Sequence, residues 1–540
     1  MDKLSKNKIK GNIYGGLTAG VIALPLALAF GMASGMGAAA GLYGAIIVSF
    51  FAAIFGGTKT QISGPTGPMT VVVASVIALF PNNPKVICVT ILVAGLFQII
   101  LGVLKVGNLI KYVPYPVISG FMSGVGAIII LLQVNPLLGH NSLGNILQTV
   151  KSYPAVFQEV NVECFILALI TFIIIFFTPK KIEKYIPSSL LALVVATLIS
   201  VIFRFDIPVI GSIPKGLPHL QIGLIGLDEI YAIIPSALTL AVLGAIDSLL
   251  TSLVADSMTR TKHNSNKELI GQGIGNAVAG LFGGLAGAGA TMRTAVNIKS
   301  GGTGRLSGVV HCIFLLTVLI VLSPVASKIP LCVLAAILIK VGIDIIDYKF
   351  LRVIKNISRR ESAVMIVVFL LTVFHDLIFA VGVGIVLSSL LFAASVSEQT
   401  NVQNVKLDEI GDIDENLIDE KYAELISFVR IDGVFFFGSS ALVLNNIEKM
   451  TGNMKCLILY CKRVVTIDLS AVFVLEDMIS RFKSRGVNVI LVMKNEEIAN
   501  KILKLGLSKL INENDIAFDK ESAVQKAKAS VDKYLEEKDS

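Results

Sequence analysis

Charge is scarce in this chain: Asp, Glu, Lys and Arg together make up 16% of the residues, against 54% hydrophobic ones. With a mean hydropathy of +0.79, that shortage excludes a soluble globular enzyme as the whole protein and puts most of the chain in lipid. The six cysteines (Cys88, Cys164, Cys312, Cys332, Cys456, Cys461) form no CxxC pair and no cluster with the histidines. Four fall in or beside apolar runs and two near the C-terminus, so neither a disulfide framework nor a zinc site is indicated. No small-residue cleavage site follows the basic stretch Met1 to Lys10, and no cleaved signal peptide is expected. The net charge of +8 does not point to nucleic acid, because the basic residues lie between apolar runs.

What the chain has in abundance is apolar runs of helix length, recurring from Asn12 to about Ala394. They fall near residues 12–34, 37–56, 66–80, 86–104, 113–135, 162–178, 187–203, 230–253, 267–284, 290–299, 307–323, 330–346, 361–375 and 377–396. The pattern predicts about fourteen spans in two sevens, two of them half-length. Charge orients them. If Lys3, Lys6, Lys8 and Lys10 lie inside, the inward loops include Lys59, Lys105, Lys111, Lys180, Lys181, Lys184, Arg260, Lys262, Lys267, Lys299, Arg305 and the stretch from Lys349 to Arg360. The outward loops hold Lys85, Lys151, Arg204, Lys215 and Lys328. About twenty basic residues against about five obeys the positive-inside rule and predicts a multi-pass membrane protein with cytoplasmic termini.

Two interruptions organise this region. Phe55-Gly-Gly57 precedes Ser63-Gly-Pro-Thr-Gly-Pro-Met-Thr70, and Phe282-Gly-Gly284 precedes Gly289-Ala-Thr-Met-Arg-Thr294. Both are too rich in Gly or Pro for a continuous helix, and non-helical backbone survives in a bilayer only where protein or a cavity covers it. Broken segments at matching places in two halves point to a midplane binding site in a secondary transporter. The helix that starts after each break turns free N–H groups and a positive dipole end toward an anion. Pro25, in Ile22-Ala-Leu-Pro-Leu-Ala27, is expected to break the first span and supply a third wall.

Asp247, in Gly244-Ala-Ile-Asp-Ser-Leu-Leu-Thr251, is the decisive ionisable residue, since a carboxylate inside a span faces a cavity or a partner. Thr251 follows one turn later on the same face. Together they offer oxygens to a hard cation such as Na⁺, or a proton carrier. Arg293 either binds the anion, neutralises Asp247 or points to a vestibule. Asp344 and Asp347 near a helix end, and Asp256 with Lys262 in a loop, read as solvated. His263, His375 and Asp376 lie at loops or helix ends and suggest no catalysis; His140 and His219 read as ordinary surface residues.

After Val396 the chain turns polar and acidic, and residues 401–421 read as a linker. β-like runs at Leu425–Val429, Val434–Phe437, Cys456–Tyr460 and Val487–Met493 then alternate with helical runs near 440–450, 471–484, 497–505 and 521–536. That alternation predicts a small α/β domain over residues 422–540, after a transmembrane part over 1–400. It contains no Gly-rich phosphate loop, metal cluster or nucleophile–base pair, so an interaction or regulatory module is expected rather than an enzyme.

These residues resemble the sulfate permease (SulP) anion transporters. The likeness is carried by Ile22-Ala-Leu-Pro-Leu-Ala-Leu-Ala-Phe30, Gly41-Leu-Tyr43, Ser63-Gly-Pro-Thr-Gly-Pro-Met69 and Arg293-Thr-Ala-Val-Asn297. The tail is similar to the family's cytoplasmic STAS domain. The stretches from Ile246 to Gly273 and from Gly283 to Met292 resemble the cyanobacterial sodium-dependent bicarbonate transporters within that family. The resemblance implies a seven-plus-seven inverted repeat, a core and a gate that move against each other, a homodimer and no organic cofactor. It also implies that Asp247, Thr251, Thr291 and the Gly289 backbone hold Na⁺, and that Thr66 and the Ala290 backbone hold bicarbonate. Arg293 stands where those bicarbonate transporters carry a small residue and many sulfate and chloride members carry arginine. Sulfate, chloride or a dicarboxylate, coupled to H⁺ or exchanged, is therefore the alternative cargo. In the tail, Ser470 of Ile467-Asp-Leu-Ser-Ala471 matches the serine phosphorylated in anti-sigma factor antagonists, with Ala471 in place of their glycine.

Overall fold

The computed structural model describes residues 3–81, 83–143, 146–183, 186–211, 219–221, 226–375, 377–405, 422, 424–449 and 454–539. Lys184, Lys215 and Asp376 lie outside these residues, as does 406–421, most of the stretch read as a linker. The chain divides into two compact units, residues 1–386 and 387–540.

The helices from the N-terminus are α1 (Lys3–Ser34), α2 (Ala38–Phe55), α3 (Gly67–Leu79), α4 (Pro84–Val103), α5 (Tyr115–Leu137), α6 (Ile146–Gln158), α7 (Val162–Phe177), α8 (Lys180–Glu183) and α9 (Ser188–Phe203). They continue as α10 (Leu227–Thr259), α11 (Ser265–Leu281), α12 (Thr291–Lys299), α13 (Arg305–Ala326), α14 (Leu331–Ile345), α15 (Tyr348–Val353), α16 (Arg359–Phe374) and α17 (Leu377–Glu398). Every apolar run found in the sequence is one of these helices. Among the described residues six are singly long and apolar enough to cross a membrane, and α6 with α7, bent by 111° at their junction, can count as one more. The interrupted segments yield the short helices: α3 has 13 residues and α12 has 9. Helices α6, α8 and α15 fall in stretches the hydropathy pattern left as loops; α6 carries Pro154.

Pro25 does not break the first span, because α1 runs through it without ending. Proline removes one hydrogen bond, and the helix on either side keeps the rest. Small residues bring the helices together: a Cβ on Gly95 of α4 would lie 2.3 Å from the Ala277 nitrogen of α11, and one on Gly273 would lie 2.6 Å from the Gly95 carbonyl. Backbones that close are the small-residue packing of membrane helices. Elsewhere large apolar side chains face outward, among them Phe176, Phe177, Ile202 and Phe203, the surface expected against lipid.

The second unit is built on a six-stranded sheet. Its strands are β3 (Asn401–Val405), β4 (Ile426–Phe435), β5 (Cys456–Tyr460), β6 (Val464–Ile467), β7 (Asn488–Val492) and β8 (Ile516–Ala517), numbered after two short strands in the first unit described below. The order is β3-β4-β5-β7-β8, with β6 on β4; only β3 runs antiparallel. Helices α18 (Phe437–Lys449), α19 (Leu469–Ser484), α20 (Glu496–Lys504) and α21 (Lys520–Asp539) complete it. Strand alternation sets the two faces. Leu457 and Leu459 of β5 pack with Val472, Leu475 and Ile479 of α19, whereas Cys456 and Ile458 pack with Ala523, Ala527 and Val531 of α21. The linker expected from Asn401 thus begins as strand β3, and the two runs expected at 425–437 are one strand, β4.

Candidate functional site

Each break forms a two-residue strand, β1 (Ser63–Gly64) and β2 (Ala288–Gly289). They pair antiparallel, with Ser63 opposite Gly289 and Gly64 opposite Ala288, and the Ala290 N–H donates to the Ile62 carbonyl at 2.9 Å. Helices α3 and α12 therefore start within a few residues of one crossing point. Thr66 and Ala290 are their extended N-cap residues, and neither caps its helix through a side chain. The first N–H groups of both helices are left for another acceptor. Backbone polarity that no lipid could satisfy is paired across the break, which is why the glycines are tolerated here.

Helix α10 grips β2. Ser248 Oγ accepts from the Gly289 N–H at 3.0 Å, and Thr251 Oγ1 donates to the Gly289 carbonyl at 3.0 Å and meets Thr291 Oγ1 at 2.7 Å. One turn before Thr251 stands Asp247, whose Oδ2 is buried without a hydrogen-bond partner. The Thr66 hydroxyl and the Arg293 guanidinium face that carboxylate, and Thr66 Oγ1 is also buried and unpartnered. Arg293 is 2% exposed; its Nη2 donates to the Pro65 carbonyl, while Nη1 has no partner. Gly64, at φ 142°, makes this possible, since a Cβ there would lie 2.8 Å from Arg293 Nη1.

Thr66, Asp247, Thr251, Gly289, Ala290, Thr291 and Arg293 thus meet around one crossing. Two chemistries sit side by side. The Asp247 carboxylate, the Thr251 and Thr291 hydroxyls and the Gly289 carbonyl form an all-oxygen donor set, which suits a hard cation and not a transition metal. The unpaired Asp247 oxygen fits that reading. Beside it, two helix starts, the Thr66 hydroxyl and the free edge of Arg293 suit a small oxyanion.

The sequence reading did not single out the polar scaffold beneath the site. Glu268, 1% exposed in α11, accepts from the Gly57 and Thr58 N–H groups at 2.8 Å each and from Gln61 Nε2 and Gln272 Nε2 at 2.9 Å each. Gln272 also donates to Ser63 Oγ, and Asn276 exchanges hydrogen bonds with both backbone groups of Gly287. Residues 268, 272 and 276 are spaced by four, so one polar face of α11 carries both breaks. That spacing was the available signal. Asp256, read as a solvated loop residue, instead lies in the last turns of α10 and bonds to His263 at 2.7 Å, with side chains 16% and 7% exposed. His263 further meets Ser265 Oγ at 3.0 Å, which closes the turn between α10 and α11. His140 bonds the Glu159 carbonyl at 2.8 Å.

In the second unit Ser470 is exposed near the start of α19. Asp468 caps that helix, accepting from Ala471 N at 2.8 Å and from Phe437 N at 3.0 Å.

Comparison with known proteins follows the same division. The sequence profile of the Sulfate permease family matches residues 9–368, and that of the STAS domain matches residues 418–523. Bicarbonate transporter BicA of Picosynechococcus sp. is 42% identical over 516 residues, covering 92% of this chain and 90% of the relative. Putative sulfate transporter YvdB of Bacillus subtilis is 33% identical over 482 residues, covering 86% of this chain and 88% of the relative. The solved transmembrane domain of a cyanobacterial BicA superposes with a TM-score of 0.64 at 51% identity, over 69% of this chain and 97% of that one.

Proposed function

The chain belongs to the sulfate permease family of anion transporters, and on that premise we propose that it takes up bicarbonate together with Na⁺ by alternating access. The observation that carries the reading is the strand crossing, which sets the helix starts beside the Thr251 and Thr291 oxygens, one turn of α10 from Asp247. Two helix dipoles of about half a charge each attract a monovalent anion only weakly once it loses its hydration. A cation held by Asp247, Thr251, Thr291 and the Gly289 carbonyl adds the missing attraction, and each ion strengthens the binding of the other. Thr66 and the Ala290 backbone then hold the anion. In this reading the protein works as a homodimer in the bacterial plasma membrane with both termini in the cytoplasm, and its STAS domain meets a cytoplasmic regulator. The name of the BicA relatives supports bicarbonate as the cargo.

Arg293 favours the second reading. A buried guanidinium with one free edge is a permanent anion attractor, and it needs no sodium. Sulfate, chloride or a dicarboxylate would then move with H⁺ or by exchange, as the name of the YvdB relative suggests for sulfate. Membrane vesicles holding the protein, offered labelled bicarbonate and labelled sulfate in parallel, separate the two. Accumulation of bicarbonate alone is the expected result; accumulation of sulfate alone would replace the first reading by the second.

A further inference from the structure

Helices α12 and α13 are joined by the short loop 300–304. Across it Asn297 Nδ2 donates to Ser307 Oγ at 2.9 Å. One turn further from that loop on each helix stand Arg293 and His311. His311 is 0% exposed and lies within electrostatic range of the guanidinium. Neither of its ring nitrogens has a hydrogen-bond partner, and neither has Arg293 Nη1. The other faces of α13 are occupied differently: Gly308 packs against Ala53, and the Ser307 carbonyl against Gly16.

Unpaired buried polar groups are rare and unfavourable, and here the two defects are complementary. A guanidinium carries five donors and no acceptor, whereas a neutral imidazole has one acceptor nitrogen. We propose that His311 is a positioning residue for Arg293, its imidazole nitrogen accepting from the free Nη1 edge and steadying the guanidinium toward the anion. The Pro65 carbonyl and His311 each take one N–H of the guanidinium, so the anion meets the remaining N–H groups already oriented and spends less of its binding free energy on ordering them. This inference rests on the reading that Arg293 attracts the transported anion.

The test is a double-mutant cycle on the KM for labelled bicarbonate in vesicles, with Arg293→Gln, His311→Phe and the two combined. His311→Phe keeps an aromatic ring and removes the acceptor; it is expected to raise KM about tenfold, the loss of one hydrogen bond to a charged group, with little change in maximal rate. Arg293→Gln is expected to raise KM more, and adding His311→Phe to it should change nothing further. His311→Gln, which keeps an acceptor, should stay near the wild-type KM, and it serves should the Phe protein fail to reach the membrane. Multiplying effects in the double variant, or a KM raised as much by His311→Gln as by His311→Phe, would overturn the inference and leave the anion site standing. An unchanged KM in Arg293→Gln would overturn the reading that Arg293 attracts the anion, and this inference with it.

Discussion

At the scale of single residues the account turns on Asp247 and on the glycine that makes room for Arg293. Asp247→Asn keeps the shape and part of the oxygen ligation but removes the charge, so sodium-stimulated uptake should vanish while the protein still reaches the membrane. Thr251→Ala removes one neutral ligand and its bond to the Gly289 carbonyl; it should weaken apparent sodium affinity by about 1 kcal/mol, several-fold in KM. Gly64→Ala puts a Cβ 2.8 Å from Arg293 Nη1 at a φ of 142°, which an L side chain rarely adopts. A lower yield of folded protein with lost anion uptake is expected, and wild-type uptake would show that the guanidinium does not lie where this structure puts it. Neither Gly64 nor Arg293 could be paired from sequence alone, because 228 positions separate Arg293 from the Pro65 carbonyl it bonds.

At the scale of elements, the polar face of α11 is expected to hold the breaks in register. Glu268→Ala would leave the donors on Gly57, Thr58 and Gln61 without an acceptor and Gln272 with Ser63 Oγ alone, and should lower stability by about 3 kcal/mol or more, visible as a drop in the thermal unfolding midpoint of the purified protein. Why such residues escaped the sequence reading while the spans did not is a matter of solvent. Lipid demands a continuous apolar run from every spanning helix, and that demand writes itself into the sequence. A buried carboxylate beside Lys267, or His311 inside an apolar span, carries no mark of its surroundings until the fold supplies them. In the α/β unit, β5 was legible from its unbroken apolar run, Cys456–Tyr460. By contrast β3, in Asn401-Val-Gln-Asn-Val405, is polar and gains its place by pairing with β4. Gly433, at φ 112°, falls in the gap between the two runs read at 425–437, yet β4 continues through it. The same unit gives a chemical test: burial pushes the Cys461 thiol up to about 12, so almost none is thiolate at pH 8. Alkylation of Cys461 should be negligible in the folded protein and rapid after denaturation.

At the scale of the whole molecule, no residue of the proposed ion sites lies beyond Arg293, whereas the STAS match begins at residue 418. Deleting residues 405–540 should therefore leave the membrane part able to bind its anion while impairing assembly or regulation. Cross-linking and uptake rates compare the two forms, and a truncated protein equal to the full chain in both would show that the STAS domain serves neither role. The central claim is that a cation at Asp247 and an anion at the helix starts bind interdependently. Labelled bicarbonate uptake into vesicles, with an inward Na⁺ gradient and without one, tests it for the intact protein and for Asp247→Asn together. Strong stimulation by sodium in the intact protein and none in the variant is the expected result; bicarbonate uptake by the intact protein that is indifferent to sodium would contradict it.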